Sequence, residues 1–307
     1  MCHKTIKLKA EQDMALDQAR LVKPAKKLMK LIRKLDRDPA PEQVHALRTS
    51  VLRFETSFKA LVLDQEGLHK SIVKPLNRLR KRAGKVRDMD VLMALATTVH
   101  PKGEDKCRIQ LLEHLGSRRQ RYAKRLQIVV KKLRPKTRKA LKQTPGLIIR
   151  LLRQNSIDSD GAVAANAAAA AVSLAFRLAV PPRLTRNNLH PYRLKVKELQ
   201  NILRLAESGS QARFVTDLEK VKDAIGAWHD LEELANIASE VLNHGRGCQL
   251  VAEIKRMAEA KYQHALSAAV TLRKTYFKIS RPHDKRVVHS VIPRPQVWEA
   301  TARLAGC

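Results

Sequence analysis

Four side chains between Asn187 and Glu207 have types and a spacing suited to binding anions: His190, Arg193, Lys197 and Arg204. On a helix turning about 100° per residue they fall in one sector about 60° wide. The stripe runs fourteen residues, about 21 Å at about 1.5 Å per residue, which exceeds any single phosphate group and suits an extended polyanion. One basic stripe also describes the solvent face of an ordinary amphipathic helix. The weight therefore falls on a second copy. His45 and Arg48 repeat the three-residue step upstream, and Lys59 stands fourteen residues beyond the histidine, as Arg204 does beyond His190. An imidazole, with a reference pKa of about 6.5, is drawn towards its charged form beside phosphate, so such a site predicts tighter binding at lower pH.

A second cluster repeats in the same order. Gly84-x-x-Arg87-Asp88-x-Asp90 is matched by Gly226-x-x-His229-Asp230-x-Glu232. The histidines His45 and His190 are 145 residues apart and the two glycines 142, so the chain is an internal duplication. Asp88 and Asp230 each adjoin a cation and have two readings. They orient that cation through a charge-assisted hydrogen bond, or they cap a helix or bridge two helices.

A helical repeat that opens with Leu/Val-His-x-x-Arg and later carries Gly-x-x-[Arg/His]-Asp-x-[Asp/Glu], present twice, resembles the CHAD family, the conserved histidine α-helical domain. The likeness extends from about Glu11 to Ile279. It implies an all-α protein of two duplicated antiparallel helical bundles, about four main helices each, in a pseudo-two-fold relation around a basic groove. It further implies binding of inorganic polyphosphate without catalysis. Carried over residue by residue, the family's basic pattern falls on His45, Arg48, Arg53 and Arg87, and on His190, Arg193, Lys197 and His229. Leu52, Glu55, Glu198 and Gln200 stand where members of the family often have further basic residues. With Lys59 and Arg204 from the stripes, and Arg78 and Arg82 on the polar positions of the helix preceding Gly84, these form the candidate polyphosphate site.

Helices must position these groups. Leucine periodicity predicts helices over Glu11 to Leu35, from Pro41 onward, over Leu68 to Arg82 and over Glu104 to Leu133. In the second half it predicts Ala162 to Ala179, Asn187 to Glu207, Ala212 to Ile225, His229 to Leu242 and Gln249 to Lys278. Pro41 suits a first turn, which puts His45 in the second. Gly84 reads as a break that leaves Asp88 and Asp90 in the first turn of the next helix, where acids meet the positive end of the dipole. Pro135 reads as a stop, Pro145-Gly146 as a break, and Asn187 or Asn188 as a cap with Pro191 in the first turn. The alanine-rich helix suits close packing. The polar run Gln154 to Gly161 is the natural boundary, giving a first repeat over 1–155, a second over 156–280 and a proline-containing tail over 281–307.

Composition narrows the function. Sixty-one Lys and Arg against 29 Asp and Glu give a formal charge of +32 over 307 residues, a self-repulsion best explained by a polyanionic partner. Aromatic residues are only 4%, which disfavours single-stranded nucleic acid, whose bases stack on aromatic rings. A sequence-nonspecific nucleic-acid binder remains the alternative that charge allows. His229-Asp230 also resembles the dyad of HD-type phosphohydrolases, yet Arg87-Asp88 cannot repeat it, because arginine is not a usual metal ligand. No cofactor and no metal site is expected. Cys2, Cys107, Cys248 and Cys307 form no Cys-x-x-Cys pair and read as free thiols. With no apolar stretch of signal-peptide or membrane-spanning length, the expectation is a cytoplasmic protein, off the membrane and associated with polyphosphate granules.

Overall fold

A computed structural model describes residues 25–35, 38–60, 72–155, 162–180, 183–206, 212–242 and 247–277, and within these the side chains of 56–60, 145, 147–155, 162–168 and 205–206 lie outside the description. The described residues form eight helices and no strand, so the protein is all-α. In chain order these are α1 (25–34), α2 (Pro41–Ala60), α3 (Lys74–Ala96), α4 (Asp105–Asn155), α5 (Ala162–Ala179), α6 (Arg186–Ala206), α7 (Ala212–Val241) and α8 (Gln249–Tyr276). Among the described residues no helix is long and apolar enough to cross a membrane. Residues 1–24, the linker 156–161 and the tail 281–307, with Cys2 and Cys307, lie outside them.

Two compact units emerge: 1–166 with 233–253, and 167–232 with 254–307. In the first, α3 packs on α2 and on α4. Leu28 and Ile32 of α1, Val44, Leu47 and Val51 of α2, Leu76, Leu79 and Val86 of α3, and Leu126 and Val130 of α4 close one core. In the second, Leu174 and Leu178 of α5 meet Leu189, Tyr192 and Val196 of α6, Ile225 and Trp228 of α7, and Ala265 and Ala269 of α8. Ala171 and Ala175 are buried while Ala169 and Ala170 are exposed, and the earlier side chains of this alanine-rich helix, on which the expected close packing rested, lie outside the described residues.

Local chemistry sets the helix starts. Pro41 opens α2, and Gln43 Oε1 accepts the Ala40 backbone N–H at 3.2 Å, so His45 does fall in the second turn. At α6 Asn188 is not the cap. Its Oδ1 accepts the Thr185 N–H at 2.8 Å and its Nδ2 donates to Arg183 O at 2.9 Å. Thr185 is thus the residue before the helix, and Pro191 lies inside it rather than in the first turn.

Four expected breaks are absent. α3 runs through Gly84, α7 through Gly226, and α4 through Pro135, Pro145 and Gly146. A glycine costs a helix only about 1 kcal/mol, and burial of Leu76, Leu79, Ala83 and Val86 on one side of α3 outweighs it. Pro135 is on the exposed side of α4, so the carbonyl it leaves without an amide partner faces solvent. Consequently Asp88 and Asp90 are deep inside α3 and are not dipole partners of a first turn.

Candidate functional site

The second unit assembles its cations along the seam between α6 and α7. Leu189, Tyr192, Val196, Leu199 and Leu203 turn one side of α6 into the core. This leaves His190, Arg193 and Lys197 half-buried and Arg204 exposed along its edge. α7 lies antiparallel beside it, as successive contacts show. Arg204 Nη2 donates to Glu219 Oε2 at 2.9 Å. Arg193 Nε donates to Lys222 O at 3.1 Å. The His190 and His229 rings meet, tilted by 46°, with centroids 4.1 Å apart, and Arg186 Nη1 donates to Glu232 Oε1 at 2.9 Å.

Gly226 is what lets Arg193 lie against α7. A Cβ at that position would sit 2.7 Å from Arg193 Nη2 and 3.2 Å from its Cζ, closer than such atoms approach. The glycine that looked like a helix break is therefore a seat for a guanidinium. Gly226→Ala is expected to displace Arg193 without unfolding α7, since alanine gains up to about 1 kcal/mol of helix propensity. Thermal unfolding should be unchanged or slightly raised, while affinity for polyanion falls several-fold. Equal affinity in titrations of both proteins would show that Arg193 is not used where it lies.

His190 carries a further sign of a ligand site. Its Nδ1 is buried and has no hydrogen-bond partner among the described residues. Burial first, then the neighbouring His229 and Arg193, hold its pKa below the usual imidazole value, so it is uncharged at neutral pH. At Glu219, burial works to raise the carboxyl, but hydrogen bonds from Arg204 and Lys222 overcome it and hold it below its usual range.

In the first unit, His45 is exposed and Arg48 half-buried on α2, with Arg53 exposed about 140° round from Arg48. Lys59 falls in the last turn of α2, and its side chain is outside the described residues. Glu55 of α2 and Arg80 of α3 form an ion pair at 2.9 Å. Because α3 is unbroken, Arg78 (exposed) and Arg82 (half-buried) share a side, while Arg87 lies about 180° from Arg78. Asp88 and Asp230 are half-buried and each points about 100° away from the cation beside it.

The last acid of each repeated cluster pairs with an arginine. Asp90 is buried in α3, and its Oδ1 accepts from Arg119 Nε of α4 at 2.6 Å. The same guanidinium donates to Asp38 at 2.8 Å and to Pro39 O at 2.7 Å. Glu232 takes Arg186, which also pairs with Glu259 and lies 4.4 Å over the Tyr262 ring. Sequence reasoning missed Arg186, although it stands four residues before His190 and so on the same stripe. Lys222 was missed because only its backbone oxygen and its pairing with Glu219 tie it to the seam.

The CHAD domain family model matches residues 19–239. No curated protein matches the chain. Its fold is similar to the crystal structure of the CHAD domain from the plant Ricinus communis, with a TM-score of 0.50 at 16% identity over 88% of this chain and 86% of that one.

Proposed function

The chain belongs to the CHAD domain family, and on that premise we propose that it binds inorganic polyphosphate, without catalysis, through its basic helix edges. The observation that carries the reading is the α6–α7 seam, where His190 lies against His229, both His229 and Arg193 bear electrostatically on it, and its buried Nδ1 has no hydrogen-bond partner among the described residues. Lys197 and Arg204 extend the same edge over several phosphate spacings. His45, Arg48, Arg53, Lys59, Arg78, Arg82 and Arg87 are the first repeat's contribution in this proposal, and Asp88 and Asp230 the groups that orient the cations near them. Arginine forks and lysine ammonium groups replace the counterions of the polymer, and no bond is made or broken. The setting proposed for it is the cytoplasm, on polyphosphate granules. A phosphohydrolase reading finds less support: among the described residues neither His229 nor Asp230 belongs to a group of three potential metal ligands.

Anion binding reverses the Coulombic pressure on His190, so the proton goes on as the polymer binds. In the free protein the His190 pKa lies below about 6.5, and phosphate raises it. Proton uptake, and with it the gain in affinity, falls between those two values. Affinity is therefore expected to rise as pH falls from about 8 to about 6, by at most about tenfold per pH unit for each proton taken up. His190→Gln should flatten that slope in titrations across this range, and a slope unaltered by the substitution would remove the imidazole from the mechanism. Folding responds in the opposite sense: the lowered folded-state value contributes stability above about pH 6.5, and this is lost as pH falls through that value.

The direct test is competition at fixed salt between labelled long-chain polyphosphate and duplex DNA, RNA or triphosphate. Polyphosphate alone should compete well, and Arg48→Ala with Arg193→Ala should weaken it. Equal competition by nucleic acid per phosphate would make this a general polyanion binder.

A further inference from the structure

Cys107 and Cys248 are 141 residues apart in the chain, and the first unit brings them together at the starts of two helices. Cys107 is in the first turn of α4 and Cys248 immediately precedes α8. Both are free thiols with 2% exposure. Glu104, the residue before α4, joins them. Its Oε1 accepts the Gln249 backbone N–H at 3.0 Å, and its Oε2 lies 3.8 Å from Cys248 Sγ, which donates to it. One ligand atom from each of the three residues lies within 4.8 Å of the other two. Gln110 Nε2 also donates to Val241 O at 3.2 Å, so the end of α7 is tied to α4 independently of the thiols.

We propose that Glu104, Cys107 and Cys248 form a binding site for a thiophilic divalent cation of the zinc type, held by two thiolates and one carboxylate with a fourth position open to water. Ligand atoms around zinc, at about 2.0–2.3 Å from it, stand roughly 3.5–3.8 Å apart, so the site closes by about an ångström. Two sulfurs select zinc over magnesium or calcium, which prefer oxygen ligands. Each thiol gives up its proton as the cation enters, and the two thiolates, the carboxylate and the dication sum to a single negative charge. Two helix N-termini, α4 and α8, meet that charge with their positive ends. The Cys107 thiol is pushed up to about 12, first by its hydrogen bond with Glu104, then by burial and by Cys248. A dication among the same groups opposes that shift. Bound metal staples the start of α4 to the start of α8, contacts distinct from the anion seam.

The experiment uses the full chain carrying Cys2→Ser and Cys307→Ser, reduced and kept from oxygen, and titrated with Co²⁺ and then Zn²⁺. One Co²⁺ per chain should bind with a sulfur-to-cobalt charge-transfer band and the visible bands of a tetrahedral ion, and one equivalent of Zn²⁺ should displace it. The unfolding temperature should climb with zinc concentration. Cys248→Ala should abolish the band, and Glu104→Gln, which keeps both thiols, should weaken binding at least about tenfold. Absence of binding, a band that survives Cys248→Ala, or full affinity in Glu104→Gln overturns the proposal.

Discussion

Raising salt from about 50 to about 200 mM is expected to lower the affinity for long-chain polyphosphate by roughly 10³ to 10⁵, the loss found for nucleic-acid binders that make six to ten phosphate contacts. The physical source is counterion release. Each arginine or lysine that meets a phosphate frees a condensed cation, and the entropy of that release shrinks as bulk salt rises. With 61 basic residues against 29 acidic ones, the chain has more than enough cations for ten contacts. Polyphosphate is a different polymer from DNA, so the exponent is the quantity to measure: log affinity against log salt should be steep and linear. Lys197→Ala should lower the slope by about one. A flat plot would mean that charge neutralisation is not what holds the polymer.

The largest effect on folding is expected from Arg119→Ala, a loss of about 3–5 kcal/mol, because it strands a buried carboxylate. The Asp90 side chain is 3% exposed and Arg119 16%, and Asp90 Oδ2 has no other partner among the described residues. Burial disfavours the charge on Arg119, and its bonds to Asp90 and Asp38 outweigh that, so the guanidinium stays charged. Asp90→Ala should cost less, since Arg119 keeps Asp38 and the Pro39 carbonyl and has some access to water. Replacing both at once, Asp90→Leu with Arg119→Met, should recover most of the loss. Urea unfolding of the single and double variants checks the order. If Arg119→Ala unfolds at the wild-type midpoint, the pair contributes nothing to the core.

The helices and their starting residues were largely legible, because apolar spacing and residues such as Pro41 report directly on local backbone preference. The punctuation was not. Gly84, Gly226 and Pro135 are breakers by propensity, and what overrode them was burial along α3, α7 and α4, a tertiary quantity that no local window contains. The meeting of His190 with His229 had a signal in the repeated motifs. Gly226 had one too, since it belongs to the repeated motif, but the helices predicted on either side left it in a gap when it was a contact surface. The Asp90–Arg119 pair had none, since its partners are 29 residues apart on different helices and nothing in either stretch names the other.

The α6 edge comes with acids of its own. Arg204 is held by Glu219, which also takes Lys222 at 3.3 Å, and Arg186 by Glu232 and Glu259. These are partly open to solvent, and such pairs are worth about 0–1 kcal/mol each. A phosphate bound as proposed at either end of this edge would displace a tethered carboxylate from Arg186 or Arg204, an exchange close to thermoneutral when made once. A mononucleotide or triphosphate makes one or two such exchanges and gains little. A polymer that has won one rung holds its next phosphates at high effective concentration over the following rungs, and the small gains multiply. In the proposed polyphosphate reading these carboxylates would thus act as a length filter, disfavouring small phosphates and favouring a chain that spans the helix.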